Sequence, residues 1–308
     1  MNVSCPEHSG QHPAGSKPAG EWAWNGSMVM NDVGRERSLL LYDGVGQPWF
    51  SAAAVADYLA QRLPLLAVEL RPGLLQHALG GATGREALCG LAEELCLARV
   101  RDPRRQVAAD ERPRVPLKPE VDYELRLLRG DGRPVPGVLY DGIELQRIAF
   151  NVLPQAERHS PAIRLWFTER LVATWDDADR RYHARTGVYG FPAIVSTSGL
   201  VEAPARDRRH YLARRLGLPD TDGNGYLGYE DPRTTEVAKG YAMQAVFYAA
   251  TGEPFCSDPR CRLYNAHWQS ELLAAQLGGD DLCQHHREAL SALQSSSSSS
   301  LVPRPSSS

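Results

Sequence analysis

The tightest constraint on how this chain can fold lies near its carboxyl end. Between Pro254 and Leu290 the run PFCSDPRCRLYNAHWQSELLAAQLGGDDLCQHHREAL gathers three of the six cysteines and three of the nine histidines. Cys256 and Cys261 enclose four residues, Pro259 among them, a spacing that lets two thiolates turn onto one ion. Cys283 arrives 22 positions after Cys261, with His285 and His286 close behind. Zinc takes four nitrogen or sulfur donors in a tetrahedron, and Cys256, Cys261, Cys283 and His286 make such a set, with His285 the alternative fourth ligand. Four protein ligands leave no position for water, so a site of this kind is structural and pins a last helix to the turn before it. Without a metal the same residues read as three buried thiols and a surface histidine pair.

Six cysteines in 308 residues are too few for a disulfide framework, so clustered ones indicate a metal and separated ones indicate packing. Cys89 and Cys96, seven apart on the apolar face of a helix, read as core filling, with Thr83 and Glu86 placed as that helix's capping box. Cys5, His8 and His12 could grip a metal, but they stand in a Gly-, Pro- and Ser-rich run without periodicity, and such clusters are usually incidental. Residues 1–36 therefore read as a flexible tail and 295–308, SSSSSSLVPRPSSS, as a low-complexity tail or linker.

Between these tails the pattern alternates. RSLLLYDG reads as a buried strand, SAAAVADYLAQRL as an amphipathic helix capped by Ser51, and PLLAVELRP as a second strand, a βαβ-like start. The Arg- and Pro-rich RDPRRQVAADERPRVPLKPE reads as an irregular, solvated connection. YDGIELQRIAFNVL reads as a helix after a turn, AIRLWFTERLVATWDD as two strands, and YHARTGVYGFPAIVSTSGLVEAP as further extended segments. ARDRRHYLARRLG reads as a helix closed by Gly217, and PRTTEVAKGYAMQAVFYAATG as a helix started by Pro232 and ended by Gly252. DTDGNG lacks the closing acid of a calcium loop and reads as a turn. The expected fold is α/β (α+β): a mixed β-sheet flanked by helices, with an amino-terminal portion over 37–135 and a second portion over 136–294 that carries the zinc site.

A formal charge of −3, with Lys and Arg spread among acids, gives no electrostatic case for nucleic acid. No run approaches about 18 consecutive apolar residues, and the amino terminus lacks the basic-then-apolar pattern of a secretory signal. The expectation is a soluble, cytoplasmic protein with a small-molecule or peptide substrate and no membrane or nucleic-acid partner.

The stretches FTERLVATWDDADRRYHAR, PAIVSTSGLVEAPARDRRHYL and KGYAMQAVFYAATGEPFCSDPRCRLYNAHWQSEL resemble a mostly prokaryotic family assigned to the metallopeptidases, over roughly residues 138 to 290. The C-x4-C spacing and the later cysteine are also similar to archaemetzincins. In those zinc peptidases a helix reading H-E-x-x-H-x-x-G-x-x-H runs directly into C-x4-C-x-M. The resemblance implies a metzincin-like fold. It also shows a departure: with the cysteines superposed, Gly252 falls on the motif glycine, but Ala245, Ala249 and Phe255 stand where the three histidines belong. Val246 replaces the glutamate and Leu263 the methionine. With no ligand and no base, hydrolysis by zinc-bound water at that place lacks its chemical means.

Chemistry is then sought in RRYHAR, VSTSGLVEAP, TTEVAKGY and LYNAHW. These offer a general base (His183, His267 or Glu236), a cation for an anionic substrate (Arg185 or Lys239) and hydroxyls (Ser196, Ser198, Tyr182), with Glu202 undecided. His183 and Arg185 share a strand face, and Glu236 and Lys239 share a helix face. The plain readings are a packed His267 beside Trp268 and a surface ion pair between Glu236 and Lys239. His183, Glu236 and His267 could also form an open set for a second metal. The leading reading is a zinc-containing enzyme on a degenerate metallopeptidase-like scaffold acting on a small anionic substrate. A non-catalytic, zinc-stabilised peptide- or protein-binding module and a metallohydrolase with relocated ligands are the alternatives.

Overall fold

Leu39 and Leu41 point to one side of the first strand and Leu40 and Tyr42 to the other, and all four are buried. A strand apolar on both faces belongs inside a parallel sheet covered on both sides. The computed structural model, which describes residues 37–79, 85–107, 115–217, 225–279 and 281–295, has that architecture.

Strand β1 (Arg37–Gly44) leads through helix α1 (Ala52–Arg62) to β2 (Leu66–Pro72). Helices α2 (Leu74–Leu79), α3 (Arg85–Leu97) and α4 (Lys118–Leu128) follow, then β3 (Leu139–Asp141), α5 (Gly142–Val152) and the single turn α6 (Gln155–Arg158). Next come β4 (Ile163–Thr168), β5 (Leu171–Asp176), β6 (Arg181–Arg185), β7 (Gly187–Val188) and β8 (Ala193–Ser196). Helices α7 (Thr197–Glu202), α8 (Arg208–Arg215), α9 (Thr234–Thr251), α10 (Gln269–Leu277) and α11 (Gln284–Ser295) complete the order. Five strands form one mixed sheet in the order β2-β1-β4-β8-β7, parallel except for the β7–β8 pair. A second sheet, β3-β5-β6, combines a parallel and an antiparallel pair. The five-stranded sheet takes β1 and β2 from one sequence portion and β4, β7 and β8 from the other.

On one face Leu39, Leu41, Leu165, Phe167 and Val195 pack against α1, α9, α10 and α11. On the other, Leu40, Tyr42, Trp166 and Ile194 pack against α2, α3, α4 and α5. Helix α1 forms as its sequence predicts: Ala52, Val55 and Leu59 fall on one stripe, and Ser51 Oγ accepts the Ala54 amide at 3.1 Å. Helix α9 has no polar side through its middle, because it is the wall of the core: Val237, Ala238, Tyr241, Ala242, Ala245 and Phe247 are all buried. Its end is set by Gly252, whose φ of +80° only glycine adopts without strain. The resulting left-handed turn sends the chain toward Cys256.

Several expectations change. STSGLVE is not extended but forms α7, because Ser196 Oγ accepts the Gly199 amide at 2.8 Å and caps a helix. The connection read as irregular ends inside α4, where Glu120 reaches back to the Leu117 amide at 3.0 Å. Cys89 and Cys96 are both buried on α3, but only Cys96 is the free packing thiol expected; Cys89 is disulfide-bonded. Thr83, the first five residues of DTDGNG and the terminal stretches, with Cys5, His8 and His12, lie outside the described residues. Among the described residues no helix is long and apolar enough to cross a membrane.

Candidate metal centre

The turn at Gly252 releases the chain into a knuckle. The Cys256 amide donates to Leu263 O at 2.8 Å and the Cys261 amide to Asp258 O at 3.0 Å, which folds the C-x4-C loop so that both thiols face inward. Asp258 then donates its own amide to Cys256 Sγ at 3.3 Å. The other two donors come from the start of α11, where Cys283 precedes the helix and its carbonyl accepts the Arg287 amide at 2.9 Å. His286 stands three positions later, one turn on, so both look at the knuckle.

Cys256, Cys261, Cys283 and His286 bring four donor atoms within 4.8 Å of one another. Cys256 Sγ and Cys283 Sγ are 3.8 Å apart, and His286 Nδ1 lies 3.1 Å from Cys283 Sγ and 3.9 Å from Cys261 Sγ. Bonds of about 2.3 Å to sulfur and about 2.0 Å to nitrogen give a tetrahedron with edges of about 3.5–3.8 Å, close to these separations. The donors fit a zinc-sized ion. Cys261 is fully buried, and His286 packs edge-on against Phe247 of α9 with ring centroids 5.3 Å apart. His285 is exposed, so the histidine that joins the cluster is His286.

Burial pushes the Cys261 thiol up to about 12, against the opposing pull of the Cys283 and Leu263 amides. Burial raises Cys256 too, and burial together with the neighbouring His285 lowers His286. Without a metal, burial therefore favours the thiol form of Cys256 and Cys261 and a neutral His286, and a cation must displace the thiol protons as it binds.

Outside the cluster lies an ion-pair network of which the sequence suggested only the Glu236–Lys239 pair. Arg262, next to Cys261, bonds Glu236 and places Nε 3.0 Å from Asp281 Oδ1. Asp281 also accepts Tyr58 Oη of α1 at 2.7 Å and pairs with Arg62 at 2.7 Å. Lys239 donates to Glu236 at 2.7 Å. Burial of Glu236 opposes its charge, but Lys239 and Arg262 outweigh it and hold the carboxyl below its usual value. Nothing local in the sequence marks Tyr58 as the partner of Asp281. The one available signal was that Arg262 and Asp281 flank the cysteines.

The residues proposed for chemistry are not gathered into one place. His183 of β6 faces Asp179 at 2.8 Å on its own hairpin, and Arg185 donates to Thr174 across the β5–β6 pair at 2.7 Å. Glu236 and Lys239 belong to the network beside the knuckle. His267 is exposed, its amide held by Glu271 at 2.9 Å. Among the described residues, His183, Glu236 and His267 form no ligand set, because they sit on a hairpin, a helix and a loop that the fold keeps apart. The hydroxyls are committed as well: Ser196 donates to Arg170 O, Ser198 to Glu169 O, and Tyr182 to Asp141 at 2.6 Å, while Glu202 bonds Tyr229. Ala245 and Val246 are buried in the core face of α9.

Over residues 35–293 the chain matches the family described as Probable metallopeptidase family (DUF6775). No curated protein and no solved structure matches it.

Proposed function

The chain belongs to this Probable metallopeptidase family, and on that footing we propose that it is a zinc-stabilised α/β protein whose metal ties its carboxyl-terminal helices together and takes no part in bond cleavage. The observation that carries this reading is the donor count: three cysteines and one histidine within 4.8 Å already fill a tetrahedron. Catalytic zinc keeps a position for water, and this set leaves none. Thiolate and imidazole donors favour zinc over magnesium or calcium, which take oxygen. Any chemistry acts on a small charged molecule at a place away from the metal.

Metal analysis of protein purified without added metal tests this. One zinc per chain is expected, lost on Cys261→Ser together with several degrees of thermal stability. A second metal per chain, or peptide hydrolysis that disappears on zinc removal while the fold persists, overturns the structural assignment.

A further inference from the structure

At the carboxyl ends of β1, β2 and β4 the sheet opens into a cleft of about 640 Å3. From β1 the chain crosses through α1 to β2 on one side, and β4 lies on the other, so the connections part at this point. Open α/β sheets bind ligands where such connections diverge.

Two buried N–H groups in the cleft wall have no hydrogen-bond partner. Trp166 is 2% exposed, and its Nε1 is unpartnered; Arg71 Nε is likewise buried and unpartnered, 4.0 Å from Glu157, while Nη2 of the same guanidinium pairs with Glu69 at 2.7 Å. Both residues pair in register with Tyr42, one from each side, so they share a row and a face of the sheet. Two positions further along that face is Gly44. A methyl group there would sit 2.4 Å from Trp166 Nε1 and 2.4 Å from Phe167 O, so only glycine leaves room beside the indole N–H. An unsatisfied buried donor is destabilising, and a ligand oxygen would relieve that cost.

Asp43 and Glu169 also line the cleft, Glu169 with Arg133 already bonded to one oxygen at 2.8 Å. Asp43 Oδ1 accepts the Val45 and Gly46 amides, both at 3.0 Å, so those amides are not available to cradle a phosphate. Two carboxylates also oppose a dianion. Donors on one wall and carboxylates beside them match a molecule with an oxyanion at one end and an ammonium group at the other.

From this juxtaposition we infer that the cleft at the carboxyl edge of the parallel sheet binds a small amino carboxylate, an α-amino acid or short peptide. Its carboxylate lies toward Arg71 and Trp166 and its ammonium group toward Asp43 and Glu169. The inference is independent of the metal assignment, since no ligand of the cluster lines this cleft.

Calorimetric titration of the full, metal-loaded chain with L-leucine, Leu-Leu, N-acetyl-leucine, leucinamide and inorganic phosphate tests it. Saturable binding of leucine or Leu-Leu is expected, weakened roughly tenfold or more by blocking either end of the ligand or by Arg71→Gln. Trp166→Phe keeps a ring but removes the N–H and is expected to weaken binding severalfold. Its melting temperature shows whether the fold survives, and the partly exposed Arg71 provides the variant that does not depend on core packing. Absence of binding by both free ligands, binding unchanged in Arg71→Gln, equal binding of N-acetyl-leucine, or displacement by phosphate each overturns the inference.

Discussion

Glu124 is a carboxylate with no exposure to solvent, and it survives there because three groups meet it. Arg170 donates at 2.6 Å, Tyr140 at 2.7 Å and Arg99 at 2.9 Å. Removing one member of a buried pair leaves an uncompensated charge. Glu124→Ala is expected to lower unfolding free energy by about 3–5 kcal/mol in urea titration, with Arg170 the stranded cation. Arg101 and Glu120 pair at a similar 2.6 Å but near solvent, and Arg101→Ala is expected to cost under about 1 kcal/mol. Equal losses would mean that burial does not set the value of these pairs. At this scale the sequence was legible where residue type alone restricts the role, as for Cys256, Cys261, Cys283 and His286. It was opaque where a role depends on a distant partner. Glu124 reads as an ordinary helix-surface acid until Arg170, 46 positions away, is placed against it.

Among the elements, those with a local rhythm and a local stop were readable: β1, α1 and β2 from their periodicity, α8 and α9 from Gly217 and Gly252. Those held by tertiary contact were not. Helix α7 is six residues of mixed propensity that form because Ser196 caps them, and β3 is three residues that exist as the parallel partner of β5. The residues expected to do chemistry lie on separate elements for a related reason: a shared face on one element says nothing about which elements meet. The knuckle and α11 depend on the cluster most directly. Metal at a thousandfold excess over its dissociation constant stabilises a folded site by about 4 kcal/mol. Chelation is expected to raise hydrogen exchange over residues 254–267 and 283–294 while β1 and β4 stay protected. Uniform loosening of the sheet would show instead that the metal supports the whole fold.

For the whole molecule, pH acts through carboxylates that hold elements together. Burial of Glu157 opposes its charge, but hydrogen bonds from Tyr42 of β1 and His77 of α2, with Arg71 nearby, keep its carboxyl below the ordinary 4.5. A group lowered on folding adds stability above its unfolded value and loses it as pH falls through the folded value. With chelator present, so that metal release does not contribute, the urea midpoint is expected to hold from neutral to about pH 5 and then fall, less steeply in Glu157→Gln. A midpoint that instead drops on going from pH 5 to 8 contradicts the assignment. The contact between α1 and α11 bears on how the chain is made. Tyr58 meets Asp281 across 223 positions, and Gln294 meets the Arg62 carbonyl across 232. A ribosome adding roughly 5–20 residues per second delivers α1 well before its partners, and for that interval the helix has one flank without its cover. Docking of α1 is therefore completed only after the segment from Asp281 to Gln294 has been made and has emerged from the ribosome.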